Sequence, residues 1–116
     1  MINSKKKKIS IFILLILITT LLIGLLLFLN EQNHRKEILE SVIKKEFSIS
    51  PSTYETNSSF NKFGYMYTLV FDDESKIEYE FFVKKNDENK YVVTYYGNNA
   101  QGNVPLKEDE FLTLND

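Results

Sequence analysis

Three different spacings of apolar residues follow one another along this chain. From Ile9 to Leu29 the sequence ISIFILLILITTLLIGLLLFL is apolar on every side and carries no charge over 21 residues. As a helix this run is roughly 31 Å long, enough for a hydrocarbon core of about 30 Å. It predicts a transmembrane helix over 9–29. From Glu31 to Phe47 the spacing changes. Ile38, Leu39, Val42, Ile43 and Phe47 recur at helical intervals and form one stripe, with Glu37, Glu40, Lys44 and Lys45 on the other side. Nothing between Leu29 and Glu31 demands a break, so the span and this amphipathic stalk (30–50) can form one continuous helix. It is expected to stop near Ser48 to Pro51, because Pro51 disfavours helix at Ser50.

After Pro51 the period becomes two. Ser52 to Phe60 is polar and β-leaning, and reads as an edge strand. In Tyr65 to Phe71, the residues Tyr65, Tyr67, Leu69 and Phe71 point one way, and Met66, Thr68 and Val70 the other. Ile77 to Val83 alternates again, with Ile77, Tyr79, Phe81 and Val83 opposed to Glu78, Glu80 and Phe82. Tyr91 to Tyr96 is a further strand, ended by Gly97, Asn98 and Asn99. The acidic stretch at 72–75 and KNDENK at 85–90 are polar turns. Short polar connections between alternating runs predict an antiparallel meander of three to four strands over 51–99. The economical packing is α+β, with the helix stripe across the apolar sheet face. The expected core is Leu39, Val42, Ile43, Phe47, Leu69, Phe71, Tyr79, Phe81, Val93 and Tyr95. The tail, 100–116, carries Pro105, a short apolar set (Leu106, Phe111, Leu112, Leu114) and the acids Glu108, Asp109 and Glu110, which fit a final helical turn. It either docks on the sheet or frays.

Charge adds orientation. The 116 residues hold 14 Lys and Arg against 16 Asp and Glu. The four lysines Lys5, Lys6, Lys7 and Lys8 make a basic head over 1–8, while every acid lies from Glu31 onward. Beyond the span the net charge is −6. Lysines abutting one end of a span favour a cytoplasmic N-terminus, with the remaining body outside the cell membrane. A cleaved signal peptide fits less well: its apolar region is about 7–15 residues long and is followed by small residues, whereas LFLNEQN offers none. Ser10, Thr19 and Thr20 are tolerated in the span through bonds to carbonyls one turn back. Gly24 has no Gly four residues away to make a helix-pairing motif, and no ionisable group sits in the run to serve a channel or pump.

The order of these features carries a resemblance. A basic head (Lys5–Lys8), one span, an amphipathic stalk, a Pro-containing turn at Pro51 and the Tyr-rich strand GYMYTLVF resemble the short single-span Gram-positive bacterial proteins of domain of unknown function 3139. The resemblance covers nearly the whole chain through its layout. It implies a bacterial, membrane-anchored protein and supplies no catalytic residues.

Candidate chemistry is sparse. With no Cys and a single His, a Cys-based zinc site, a disulfide framework and a catalytic thiol are excluded. Glu78 and Glu80 share a strand face roughly 7 Å apart, a separation compatible with a glycosidase acid and base. The ordinary reading is a solvated face, and a small envelope hydrolase remains the remote alternative. Asp72, Asp73 and Glu74 lack the Gly and spacing of a calcium loop, as do Asp87, Glu88 and Asn89. His34 stands alone just outside the membrane. Asn57-Ser58-Ser59 matches a glycosylation acceptor, which matters only in a eukaryotic secretory route. Lys5–Lys8 are explained by orientation and anionic lipid, and the acidic body argues against nucleic acid.

The strongest candidate surface is the sheet face away from the helix. Met66, Val70, Phe82, Val92 and Tyr96 fall there, where a solvated face would be polar. Three arrangements would account for them: a partner site, a homodimer, or cover by the Leu106–Leu114 tail. The expected function is a non-enzymatic, membrane-anchored binding or accessory module outside the cell, needing no cofactor or metal. Its expected partners are the lipid bilayer and another membrane or envelope protein. The alternative is a membrane-active immunity or stress protein acting through its span.

Overall fold

The computed structural model describes residues 3–116; Met1 and Ile2, the first two positions of the basic head, lie outside the described residues. The chain forms two compact units, one ending at Glu31 and one covering Gln32–Asp116. Helix α1 runs Ser4–Phe47. Strands β1 (Tyr54–Asn61), β2 (Gly64–Phe71), β3 (Tyr79–Lys85) and β4 (Tyr91–Asn98) follow, and then the short helix α2 (Glu108–Leu112). The strands pair in chain order into one antiparallel sheet. The fold is α+β, with a long N-terminal helix that is apolar enough over its first half to cross a membrane. Within that run the hydroxyls of Thr19 and Thr20 donate to the carbonyls of Leu15 and Ile16, both at 2.8 Å.

Helix α1 stops where its sequence runs out of apolar spacing. Lys44 and Lys45 occupy its last turn, next to the negative end of the helix dipole. Ser48 takes a left-handed conformation (φ 57°) and its N–H donates to the Lys44 carbonyl at 3.0 Å. Pro51 then opens a single 3-10 turn, Pro51–Thr53, whose Thr53 hydroxyl donates to the Ser50 carbonyl at 2.7 Å. The β1–β2 hairpin closes on two residues, Lys62 and Phe63. Asn61 Oδ1 accepts from the Phe63 N–H at 2.8 Å, and Gly64 adopts the φ of 119° that follows. In the β3–β4 turn, Asn86 Oδ1 accepts from the N–H groups of Glu88 and Lys90.

Packing follows the two periods. Leu39 and Ile43 of α1 are fully buried against Tyr67, Leu69, Phe71, Tyr79, Phe81, Val83, Val93 and Tyr95 of the sheet, with Val42 and Phe47 half-buried at the margin. The register places Tyr67 opposite Phe81, Phe81 opposite Tyr95, and Val83 opposite Val93, all on this inner face. Two features depart from the sequence reading. Strand β3 begins at Tyr79 instead of Ile77, since the chain between β2 and β3 makes a 3-10 turn at Asp72–Glu74 and Ile77 is buried beneath it. The register of β3 and β4 also shifts at Glu80/Phe81, leaving Tyr96 as an extra residue in β4. Beyond this bulge the alternation is inverted. Asn98 turns inward, where its Nδ2 donates to Tyr95 Oη and Glu108 Oε1, both at 2.9 Å.

The tail docks on the inner face. Phe111 of α2 is fully buried, with ring centroids 5.1–5.9 Å from those of Phe47, Phe71, Tyr79, Phe81 and Tyr95. Asn115 completes the attachment by exchanging two bonds with the Tyr95 backbone, each 2.9 Å. Helix stripe and tail therefore share one side of the sheet.

Candidate functional site

Because the α1 stripe and the tail use the same side, no described residue of Gln32–Asp116 outside the sheet is packed on its other side in the core cluster. The β register builds that outer face in rows. Ser59, Met66, Phe82 and Thr94 line up across all four strands, Asn57, Thr68 and Glu80 form the next row, and Lys84 stands opposite Val92. The five apolar candidates differ in what they present. Tyr96 is 63% exposed and Val92 39%, whereas Phe82 is only 4% exposed. Met66 and Val70 are half-buried. Phe82 is enclosed by its neighbours: the Tyr96 ring meets it edge-on at 5.3 Å, and Lys84 Nζ lies 4.9 Å above its centroid. The face is therefore a shallow aromatic platform with Phe82 buried in it and Tyr96 and Val92 exposed on it.

A second constellation was not anticipated. Glu74 is buried, and its carboxylate accepts from Tyr79 Oη at 3.0 Å, from the Leu106 N–H at 3.1 Å and from Lys107 Nζ at 2.6 Å. Lys107 Nζ also donates to Asp73 at 2.9 Å and lies 4.7 Å from the Phe71 ring centroid, while its backbone N–H donates to Tyr79 Oη at 3.2 Å. Burial pushes the Glu74 carboxyl up, but the bonds from Lys107, Leu106 and Tyr79 and the Lys107 charge outweigh it and hold the group below its ordinary value. Burial likewise pushes Lys107 down, and the Glu74 and Asp73 carboxylates outweigh it and hold the ammonium above its ordinary value. Burial and the adjacent Glu74 raise the Tyr79 hydroxyl to about 12, although the Lys107 N–H works the other way. All three shifts keep the groups in their neutral-pH states, which makes this an ion pair that clamps the tail to the β2–β3 connection. A hollow of about 470 Å³ beside it is lined by Ser48, Ile49, Ser50, Thr53, Phe71, Asp72, Asp73 and Lys107.

A third cluster fixes the sheet to the start of the second unit. Arg35 lies 4.1 Å from the Tyr65 ring centroid and 5.3 Å from that of Tyr91, and its Nη1 donates to the Val83 carbonyl at 2.8 Å. Tyr67 Oη donates to the Gln32 carbonyl at 2.5 Å. His34 meets Tyr91 edge-on at 5.3 Å.

The remaining sequence candidates are dispersed. Glu78 is exposed and precedes β3, while Glu80 sits half-buried in the ladder between Thr68 and Gly97. Asp73 and Glu74 are bound to Lys107. Asp87 and Glu88 are exposed in the β3–β4 turn, and Asn57 is exposed on the edge strand. Among the described residues no three His, Asp or Glu side chains gather at metal-binding distance. Lys5–Lys8 lie exposed in the first turns of α1. In comparisons with family models, with curated proteins and with solved structures, nothing matches this chain.

Proposed function

We propose that this chain is a single-pass membrane protein with its N-terminus in the cytoplasm, displaying the α+β unit outside the cell membrane as a non-enzymatic binding module. Its partner is another membrane or envelope protein, and its contact surface is the outer sheet face around Tyr96 and Val92. The observation that carries this reading is the one-sided packing of the sheet. The α1 stripe and Phe111 both use the inner face, so the tail does not cover Tyr96, which is left 63% exposed over a buried Phe82. Exposed aromatics on a rigid strand make effective anchors, because a large contact area is gained with few side-chain rotations to freeze. The Ile9–Leu29 run supports the anchor, Lys5–Lys8 support its orientation, and the family resemblance supports a bacterial setting.

The test is photocrosslinking in cells from a reactive amino acid replacing Tyr96. A discrete product larger than the chain is expected, and Val92→Glu should abolish it. Replacing Ile9–Leu29 by an unrelated apolar span should leave the product intact. A product at twice the chain mass identifies a homodimer. Absence of any product from position 96, or loss of the product on swapping the span, overturns the reading.

A further inference from the structure

The second unit has a distinct end at which the apolar run is attached. Gln32 begins that unit three residues after Leu29, so it lies within about 10 Å of the run's end along any chain path. Four contacts show which part of the sheet shares that end: Tyr67 bonds to Gln32, and Arg35 contacts Tyr65, Tyr91 and Val83. At the other end of the same helix segment, Phe47 packs on Phe111, which packs on Phe71. Strand β2 read backwards, from Phe71 to Tyr65, therefore runs towards Gln32. Its continuation is the β1–β2 hairpin tip at Lys62 and Phe63. The β3–β4 tip, between Lys85 and Tyr91, projects from the same end.

The chemistry of the β1–β2 tip is wrong for a solvated turn. Phe60 is 57% exposed and Phe63 55%, on either side of Lys62, whose Nζ lies 5.1 Å from the Phe63 centroid. A two-residue hairpin turn calls for Asn, Asp or Gly, and nothing in turn geometry requires a Phe. Lys84, Lys85 and Lys90 are exposed at the neighbouring tip, although Asp87 and Glu88 lie there too. The acids of the unit concentrate at the far end, in Asp72–Glu74 and Glu108–Glu110. Exposed aromatics with lysines, at the end that is tied to an apolar span, match an interface with anionic lipid.

We propose that the β1–β2 hairpin tip seats on the bilayer surface, with Phe60 and Phe63 entering the headgroup layer and Lys62 meeting lipid phosphates. This rests on the reading of Ile9–Leu29 as a membrane span. The bilayer is thus a second partner of the folded unit itself, and it leaves the Tyr96 face free for a protein.

The full chain has no cysteine, so single labels are unambiguous. Phe63→Cys, Leu17→Cys and Asp109→Cys are each labelled with an environment-sensitive fluorophore and reconstituted in phosphatidylcholine vesicles, with or without phosphatidylglycerol. Nitroxide lipids report depth. A headgroup-level nitroxide should quench position 63 several-fold more than position 109. Phosphatidylglycerol should increase that quenching, and Lys62→Glu with Phe60→Ser should remove the increase. A deep nitroxide should quench position 17. If position 17 is quenched while 63 behaves like 109, the tip proposal is overturned and the span stands. Quenching at 63 that ignores both substitutions means tethering alone holds the tip near lipid, and also overturns it. Failure to quench position 17 removes the span reading, and the tip proposal with it.

Discussion

Phe111→Ala is the most informative perturbation of the fold, because it separates a docked tail from an ornamental one. The ring is fully buried and touches five other aromatic rings, contributed by α1, β2, β3 and β4. Truncating a core Phe removes its transfer free energy and leaves a cavity, which together cost about 3–5 kcal/mol. The surrounding rings are held by strand register, so little collapse into the cavity is expected and the upper half of that range applies. A unit of roughly 85 residues has a total stability on the order of 4–13 kcal/mol, so this one side chain is a large share of it. The assay is urea titration of the full chain in mild detergent, followed by tyrosine fluorescence, since all seven tyrosines lie between Tyr54 and Tyr96. Leu106→Ala and Leu112→Ala, at exposed positions of the same tail, should each cost less than about 0.5 kcal/mol. A loss below about 1 kcal/mol for Phe111→Ala would refute the inner-face docking and reopen tail cover of Tyr96.

Further outcomes follow from the buried and paired groups. Lys107→Met should cost about 3–5 kcal/mol in the same titration, because it leaves the Glu74 carboxylate buried beside Tyr79 without its cation. The pH dependence has a defined sign. The depressed Glu74 carboxyl stabilises the fold above its ordinary value of 4.5, and that contribution is lost as pH falls through the folded value; Glu74→Gln should flatten this acid limb. At the alkaline side, Tyr54, Tyr79 and Tyr95 are raised from 10.0 to about 12, chiefly by burial. Their contribution is complete below pH 10.0 and is lost as pH rises towards about 12, which thermal melts across that range will read. Arg35→Lys should cost about 1 kcal/mol, since an ammonium cannot lie flat on Tyr65.

Much of the architecture was legible because each segment obeys one period. Alternation at Tyr65–Phe71 and Tyr91–Tyr96 assigned inner and outer faces, and Leu39 and Ile43 followed from helical spacing. What escaped depends on partners distant in the chain. Glu74 sits in an acidic run that reads as solvated, and only folding brings Lys107, 33 residues away, to its carboxylate. Phe111 lies in a helix of five residues, too short for any period to announce which way it faces. The inward turn of Asn98, placed by the sequence beyond the end of the strand, depends on a bulge that has no local signature in YYGN. Phe82, which alternation alone placed on an open face, is enclosed by the Tyr96 ring and the Lys84 side chain. At the outer face, then, the pattern located the surface, and the fold leaves Tyr96 as its most exposed ring.

The central claim is an anchored module facing outward, and cysteine accessibility in living cells tests it most directly. Ser4→Cys and Asp109→Cys are introduced singly into a chain that has no cysteine of its own. A membrane-impermeant maleimide is then added to intact protoplasts. Labelling at 109 without permeabilisation, and at 4 only after it, is the predicted result. Labelling at 4 in intact cells with 109 protected would contradict the account, as would release of the whole chain in soluble form.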